Sequence, residues 1–327
     1  MGQHVIDAHL IGLDWGTTSL RAYLFDSDGA IAALRQLPAG IQRIAIDGDP
    51  TAAFERALDD ACGDWRAAWP GSGLIACGMI GSAQGWREAA YLEIPTTLDE
   101  LGHALTEVAI PSGGVLRIIP GLIQRGPLPE LMRGEETQIA GVLASDASPV
   151  TRRGTDMLIG LPGSHAKWAR VRDRSIVQFR TFMTGEVFAA LCAHTLLGRT
   201  MRPAVTPDLE AFDRGVAVAR SPHGRAGVLS TMFSTRSLGL VGGLAPTSQA
   251  DYLSGLLIGS ELAALEQVGE RLDAVVLVGS DKLCQRYARA LTSVGHPPAA
   301  IAANATEHGL WRVAVAAGLV RELPRAD

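Results

Sequence analysis

Hydrophobic and polar positions along this chain fall into two matching blocks. Leu10–Leu13 and Leu158–Leu161 are short apolar runs, each followed by small turn residues and then an alternating segment. LIGLDWGTTSLRAYLFDSDGAI at Leu10–Ile31 therefore has an echo in LIGLPGSHAKWARVRDRSI at Leu158–Ile176. A short apolar run bounded by turn residues predicts a buried strand, and the alternation after it predicts a second strand paired in a hairpin. Gly16-Thr17-Thr18 and Pro162-Gly163-Ser164 supply the permissive backbone and small hydroxyls of the two turns, and Asp26-Ser27-Asp28-Gly29 predicts a further one. Elsewhere the spacing predicts helices over Thr51–Trp69, Glu135–Leu143, Gly185–Leu197, Tyr252–Val268, Asp281–Val294 and His308–Val320. Leu74–Ile80, Leu116–Ile119 and Ala274–Val278 predict buried strands.

Strands alternating with helices give an α/β class, and 327 residues are enough for two domains. The polar, Pro- and Gly-punctuated segment Ser145–Gly154 stands just before the second hairpin block and predicts a linker. The expectation is a first domain over 1–148 and a second over 149–327, with a cleft between them. The small-residue helix His308–Val320 could return to the first domain.

Composition narrows the partners. Charged residues make up 19% and hydrophobic residues 47%, with a formal net charge of −5 and no Lys/Arg block, so nucleic acid is not expected as a partner. The N-terminal residues do not read as a signal peptide, and no run approaches the roughly twenty apolar residues of a membrane span. A cytoplasmic protein without membrane partners is the expectation. Cys62, Cys77, Cys192 and Cys284 lack metal-site spacing and are expected to be reduced, buried fillers; the eight His show no paired helical spacing.

A turn of Gly, Thr and Ser exposes backbone N–H groups beside hydroxyls, a concavity suited to phosphate oxygens, although an ordinary threonine-rich hairpin reads the same way. Two such turns could grip one polyphosphate. Asp14, at the end of the first strand, stands where a hard cation bridging phosphates needs an oxygen ligand. Neither a Walker A loop nor a dinucleotide GxGxxG fingerprint is present. Magnesium nucleotide chemistry is what the pattern suggests.

Asp14-Trp15-Gly16-Thr17-Thr18 resembles the first phosphate motif, D-x-G-T-T/S, of the sugar kinase, actin and heat-shock ATPase superfamily. Four further strings, GMIGSAQGW at Gly78–Trp86, MRGEETQ at Met132–Gln138, LPGSHAKW at Leu161–Trp168 and FRTFMTGE at Phe179–Glu186, together resemble the 2-dehydro-3-deoxygalactonokinases over nearly the whole chain. The resemblance implies two ribonuclease H-like (actin-like ATPase) domains with an interdomain nucleotide and substrate cleft. It implies ATP and Mg2+ as cofactors, a sugar acid as small-molecule partner, and phosphorylation of 2-dehydro-3-deoxygalactonate at its 6-hydroxyl in galactonate breakdown. It leaves room for a homodimer.

Residue roles follow from the same resemblance. Gly134-Glu135-Glu136 stands where related kinases carry Gly-Asp with the catalytic base, which makes Glu135 the candidate and Glu136 the reserve; an acidic helix N-terminus reads alike. Gly163, Ser164 and His165 resemble the second phosphate motif, with Lys167 placed to neutralise charge on the transferring phosphoryl group. Gly279 and Ser280, in VVLVGSDKL at Val275–Leu283, correspond to a loop that touches adenosine. Ser82, Gln84 and Trp86 would border the sugar pocket, although a packed tryptophan in a loop fits them as well, and Arg87 or Arg133 could meet the substrate carboxylate. The rivals are a kinase for another substrate, such as 2-keto-3-deoxygluconate or a ketose, an actin-like regulatory ATPase, and a sugar sensor without activity.

Overall fold

The computed structural model describes residues 8–44, 49–144 and 156–320; the predicted linker Ser145–Gly154 lies outside them. The chain opens with β1 (Ala8–Trp15), β2 (Leu20–Asp26) and β3 (Ile31–Leu37), consecutive antiparallel strands. Helix α1 (Pro50–Ala68) starts where the Asp49 carboxylate accepts the Thr51 N–H at 2.9 Å and Pro50 takes the first helical position. Its buried face carries Phe54, Leu58, Ala61 and Trp65. Then come β4 (Gly73–Cys77), β5 (Tyr91–Glu93), α2 (Leu98–His103), β6 (Thr106–Ala109), β7 (Val115–Ile118), β8 (Gly121–Gln124), β9 (Glu130–Met132) and α3 (Glu135–Ala144).

The second stretch repeats the opening, with β10 (Asp156–Leu161), β11 (Ala166–Arg172) and β12 (Ser175–Phe182). It continues through α4 (Thr184–His194), α5 (Leu209–Arg220), α6 (Val228–Thr231), α7 (Ser234–Leu240) and α8 (Gln249–Gln267). β13 (Val275–Val278), α9 (Asp281–Ser293), β14 (Ala300–Ala302) and α10 (Ala305–Ala316) complete it.

The duplication read from the apolar runs is visible in the sheets. One sheet has the order β3-β2-β1-β4-β7-β6, the other β12-β11-β10-β13-β14, with parallel pairing of β1 to β4 to β7 and of β10 to β13 to β14. A third, small sheet is β5-β8-β9. The chain divides into two compact units. The first comprises Met1–Asp156, Val171–Phe179 and Asn304–Asp327, and the second Met157–Arg170 and Arg180–Ala303. Among the described residues no helix is long and apolar enough to cross a membrane.

In the first unit the core under α1 joins Leu13, Trp15 and Leu24 to Phe54, Leu58 and Trp65. In the second, Leu158, Trp168 and Leu277 pack with Phe212, Ile258, Leu262 and Tyr287. Helices cross at glycines in both units. A Cβ on Gly309 of α10 would lie 1.9 Å from the carbonyl oxygen of Thr137 in α3, and one on Gly141 would lie 1.9 Å from that of Ala305. Gly255 of α8 stands in the same relation to Phe212 of α5, also at 1.9 Å.

Several elements differ from the sequence expectation. The strand expected over Leu74–Ile80 stops at Cys77, because Gly78 turns the backbone at φ +90 and Met79–Gly81 forms a 3-10 turn. Ile80 is buried anyway, so the apolar run continues past the strand end. Helix α5 was not expected; its N-terminus is capped by Asp208 accepting from the Ala211 N–H at 2.9 Å, and it buries Phe212 and Val216. Cys62, Cys77 and Cys284 are buried as expected, but Cys192 is only half-buried, because no residue of α4 is fully buried.

The glycine crossing makes a stability prediction. Gly309→Ala forces α10 off α3 and is expected to cost about 1–3 kcal/mol by denaturant unfolding. Gly71→Ala, at a position with open space around its Cβ, is the control and should be near neutral.

Candidate active site

In the first unit the expected residues gather at the carboxyl ends of two parallel strands. Asp14 lies near the end of β1, in register with Cys77 of β4 and with Arg21 of β2. Its Oδ2 accepts from the Arg21 guanidinium at 3.2 Å, and a quarter of its side chain remains accessible. Burial raises the Asp14 carboxyl above its ordinary range; Arg21 opposes this, and the charge of Glu307 on α10 adds to it. The turn after Asp14 is closed by the Gly16 N–H to the Ser19 carbonyl at 2.9 Å and braced by Ile41 and Gln42, whose N–H groups reach the carbonyls of Gly16 and Thr17 at 3.0 Å. Among the described residues the N–H groups of Thr17 and Thr18 have no backbone acceptor, and Gly40 packs against the turn, where a Cβ on it would lie 2.3 Å from the Thr18 nitrogen.

Two glycines bring the rest of the half-site to this turn. A Cβ on Gly78 would sit 2.9 Å from the Trp15 carbonyl oxygen and 3.7 Å from Asp14 Oδ1; one on Gly134, itself at φ +106, would sit 3.3 Å from the Gly78 Cα. Backbone touching backbone here places Asp14, the Gly78–Trp86 loop and the Glu135 turn together. Glu135 is half-buried, and its Oε2 accepts the Arg133 N–H at 3.1 Å. Glu136 is completely buried and accepts from the Gly134 N–H at 2.6 Å and the Thr137 hydroxyl at 3.0 Å. Burial, helped by the Glu135 charge, pushes its carboxyl up to about 7.

Along the loop, Ser82 is buried with no hydrogen-bond partner for its Oγ, and Gln84 is exposed. Trp86 stacks on Phe54, ring centroids 6.0 Å apart, and packs against the core, as the plainer reading of that residue had it. Arg133 lies over the Tyr91 ring at 4.3 Å and donates to the Ala89 carbonyl at 2.8 Å, leaving Nε and Nη1 buried without a partner. Arg87 is exposed.

The second unit holds the other expected residues. Gly163, Ser164 and His165 form the turn between β10 and β11; Ser164 and His165 are exposed, and the His165 imidazole pairs with the Glu186 carboxylate. The N-terminus of α4 sits directly on this turn, since a Cβ on Gly185 would be 2.3 Å from the Gly163 carbonyl oxygen and the Glu186 N–H donates to the Ser164 carbonyl at 3.0 Å. Lys167 is not a surface lysine: it is 6% exposed and its ammonium donates to Thr181 at 2.8 Å. Gly279 abuts the same turn, 3.2 Å from its built Cβ to the Pro162 carbonyl oxygen, and Ser280 precedes α9, where its carbonyl accepts from Leu283 and Cys284.

Among the described residues no group of three or more His, Cys, Asp or Glu could hold a metal ion. The donor set instead suits a cation such as Mg2+, which keeps most of its waters and is bound by one or two carboxylates together with substrate phosphates. Asp14 is the hard oxygen available for that.

The sequence profile described as 2-keto-3-deoxy-galactonokinase matches residues 14–313. The chain belongs to that family. It is 37% identical over 287 residues to a probable 2-dehydro-3-deoxygalactonokinase of Rhizobium meliloti, covering 86% of this chain and 89% of that one. To the 2-dehydro-3-deoxygalactonokinase of Escherichia coli it is 33% identical over 298 residues, covering 91% and 94%. A solved structure of a Sinorhizobium meliloti protein with the same designation as the first relative superposes at a TM-score of 0.84, with 35% identity over 94% of this chain and 99% of that one. A carbohydrate kinase from Novosphingobium aromaticivorans, at 12% identity and a TM-score of 0.50, shares the fold. The resemblance drawn from the five motifs is thereby established, and with it the α/β fold of the sugar kinase type.

Sequence reasoning missed several residues in this 2-keto-3-deoxy-galactonokinase family member. Arg21 faces Asp14 because the β1–β2 register puts them opposite each other, which hairpin spacing could have revealed. Glu307, nearly three hundred residues from Asp14, left no local signal. Thr181 and Glu186, the partners of Lys167 and His165, lie inside FRTFMTGE without having been singled out.

The buried Glu136 predicts a pH dependence of stability. Its folded value near 7 exceeds the ordinary 4.5, so the folded state holds a proton that the unfolded chain releases, and stability falls as pH rises from about 4.5 to about 7. Relative to wild type, Glu136→Gln should therefore gain stability across that window and change no further above it, as measured by urea unfolding at a series of pH values.

Proposed function

We propose that this protein is an ATP-dependent kinase that transfers a phosphoryl group to the 6-hydroxyl of 2-dehydro-3-deoxy-D-galactonate, in the cytoplasm, as a step of D-galactonate catabolism. The observation that carries the reading is the meeting of the Asp14 turn, the Gly78–Trp86 loop and the Glu135 turn through backbone contacts at Gly78 and Gly134. Family membership supports both the reaction and the substrate.

The bound magnesium nucleotide would supply the phosphoryl group and a cation to offset its charge. The N–H groups and hydroxyls of Thr17 and Thr18, with Gly16, cradle phosphate oxygens, and Asp14 holds the cation directly or through water. Gly163, Ser164 and His165 do the same in the second unit, with Gly279 and Ser280 against the adenosine. Lys167, buried behind that turn, adds fixed positive charge. Glu135 accepts the proton of the 6-hydroxyl as its oxygen bonds to phosphorus and the bond to the departing ADP oxygen breaks. Full burial and hydrogen bonds to the Gly134 N–H and the Thr137 hydroxyl support the choice of Glu135 over Glu136 as the base.

Ser82 and Arg133 hold the sugar acid in this reading, with Gln84 at the rim and Trp86 as an apolar support. Buried polar atoms without partners are rare in folded proteins because each costs about 1–3 kcal/mol, and here three of them belong to Ser82 and Arg133. A carboxylate and hydroxyls of substrate would satisfy them.

ADP release by purified protein with magnesium ATP, against a panel of 2-keto-3-deoxy sugar acids, aldonic acids and free sugars, tests the proposal. Turnover should be strongest on 2-keto-3-deoxygalactonate and fall by about 10²–10⁴ in kcat for Glu135→Gln. Preference for 2-keto-3-deoxygluconate or a ketose would reassign the substrate, and ATP binding without sugar-dependent release would point to a regulatory ATPase. Arg133→Lys should raise KM for the sugar acid roughly tenfold or more while leaving KM for ATP unchanged.

A further inference from the structure

Glu261 stands in the middle of α8, 3% exposed, in a core where its neighbours Ile258, Leu262 and Leu265 are apolar. A carboxylate in such a place is strongly disfavoured unless its lone pairs are met. Here they are met by three elements at once. Oε1 accepts from the Trp168 indole N–H at 2.6 Å, and Oε2 accepts from the Tyr287 hydroxyl of α9 at 2.9 Å and from the Thr184 hydroxyl.

Two of these donors flank the turn at Gly163–His165. Trp168 is on β11, the strand leaving the turn, immediately after Lys167. Thr184 opens α4, whose next two residues close on the turn, Gly185 against the Gly163 carbonyl and Glu186 against Ser164 and His165. Successive residues of a strand point to opposite faces, so Glu261 grips β11 from the face away from Lys167 and its bond to Thr181. One carboxylate thus ties the strand behind the turn and the helix end above it to α8 and α9.

We infer that Glu261 is a positioning residue for this phosphate turn, fixing Gly163–His165 for a nucleotide's phosphates through Trp168 and Thr184. The inference rests on the proposed phosphate-binding role of that turn. Burial pushes the Glu261 carboxyl up to about 7, and the hydrogen bonds from Thr184, Trp168 and Tyr287 oppose the rise.

The test is calorimetric binding of magnesium ADP, with KM for ATP and for the sugar acid, in wild type, Glu261→Gln, Thr184→Val and Thr184→Ser. Glutamine keeps the shape but turns an NH2 toward a donor, and valine removes the Thr184 hydroxyl. Both should raise Kd for magnesium ADP and KM for ATP by about tenfold with KM for the sugar acid unchanged, and Thr184→Ser should behave as wild type. A purely structural role would lower the unfolding midpoint and leave the nucleotide constants of the folded enzyme unaltered, which overturns the inference. Should Glu261→Gln not fold, the Thr184 pair decides alone. Wild type that binds the nucleotide but phosphorylates no sugar acid defeats the proposed function without touching this one, since Kd still reads the turn; wild type that binds no nucleotide overturns both.

Discussion

Backbone packed on backbone, with no side chain between, is the constraint on which the rest of this protein depends. At Gly78 and Gly134 it brings two loops to the end of β1, and at Gly141 and Gly309 it presses α3 against α10. A glycine permits such an approach, and at Gly78 and Gly134 it also permits a positive φ that other residues adopt only under strain. These contacts are linked in sequence. Thr137, whose carbonyl meets Gly309, is two residues from Glu135, so the helix crossing lies within one turn of the candidate base.

The two units solve the same problem with different electrostatics. In the first, acidic groups act on one another: the charge of Glu307 raises the Asp14 carboxyl, that of Glu135 raises Glu136, and Arg21 supplies the counter-charge to Asp14. In the second, a buried ammonium at Lys167 and the His165–Glu186 pair stand around the turn. Acidic groups suit a cation and a proton acceptor; a fixed ammonium suits phosphate oxygens. The duplicated fold therefore carries a difference in charge that its common topology does not show.

The sequence disclosed those parts of the fold whose signal is local. The apolar runs at Leu10 and Leu158, the Gly/Thr/Ser turns after them and the acidic start of α3 each declare themselves within a few residues, and the structure forms the hairpins and the helix there. The small sheet β5-β8-β9 went unread because its strands are only three or four residues long, whereas α5 went unread although its Asp208 cap and its apolar Phe212 and Val216 are local signals. The limit of the run Leu74–Ile80 was hidden for another reason: burial continues after the strand has ended, and hydrophobicity records burial, not direction. Of the candidate site, the motif residues were legible and their partners were not, because pairing across strands and helices depends on register and on distance in space.

One feature of connectivity bears on how the protein is made. The helix that braces the catalytic turn, α10, follows every residue of the second unit, yet it belongs to the first. On the ribosome the first unit must wait, with its groove for α10 unfilled, while the whole of its sibling is synthesised. The backbone contacts of Gly141 and Gly309 therefore join segments that the whole of the second unit separates in the chain, and the seat of α3 is completed only once that unit has been made.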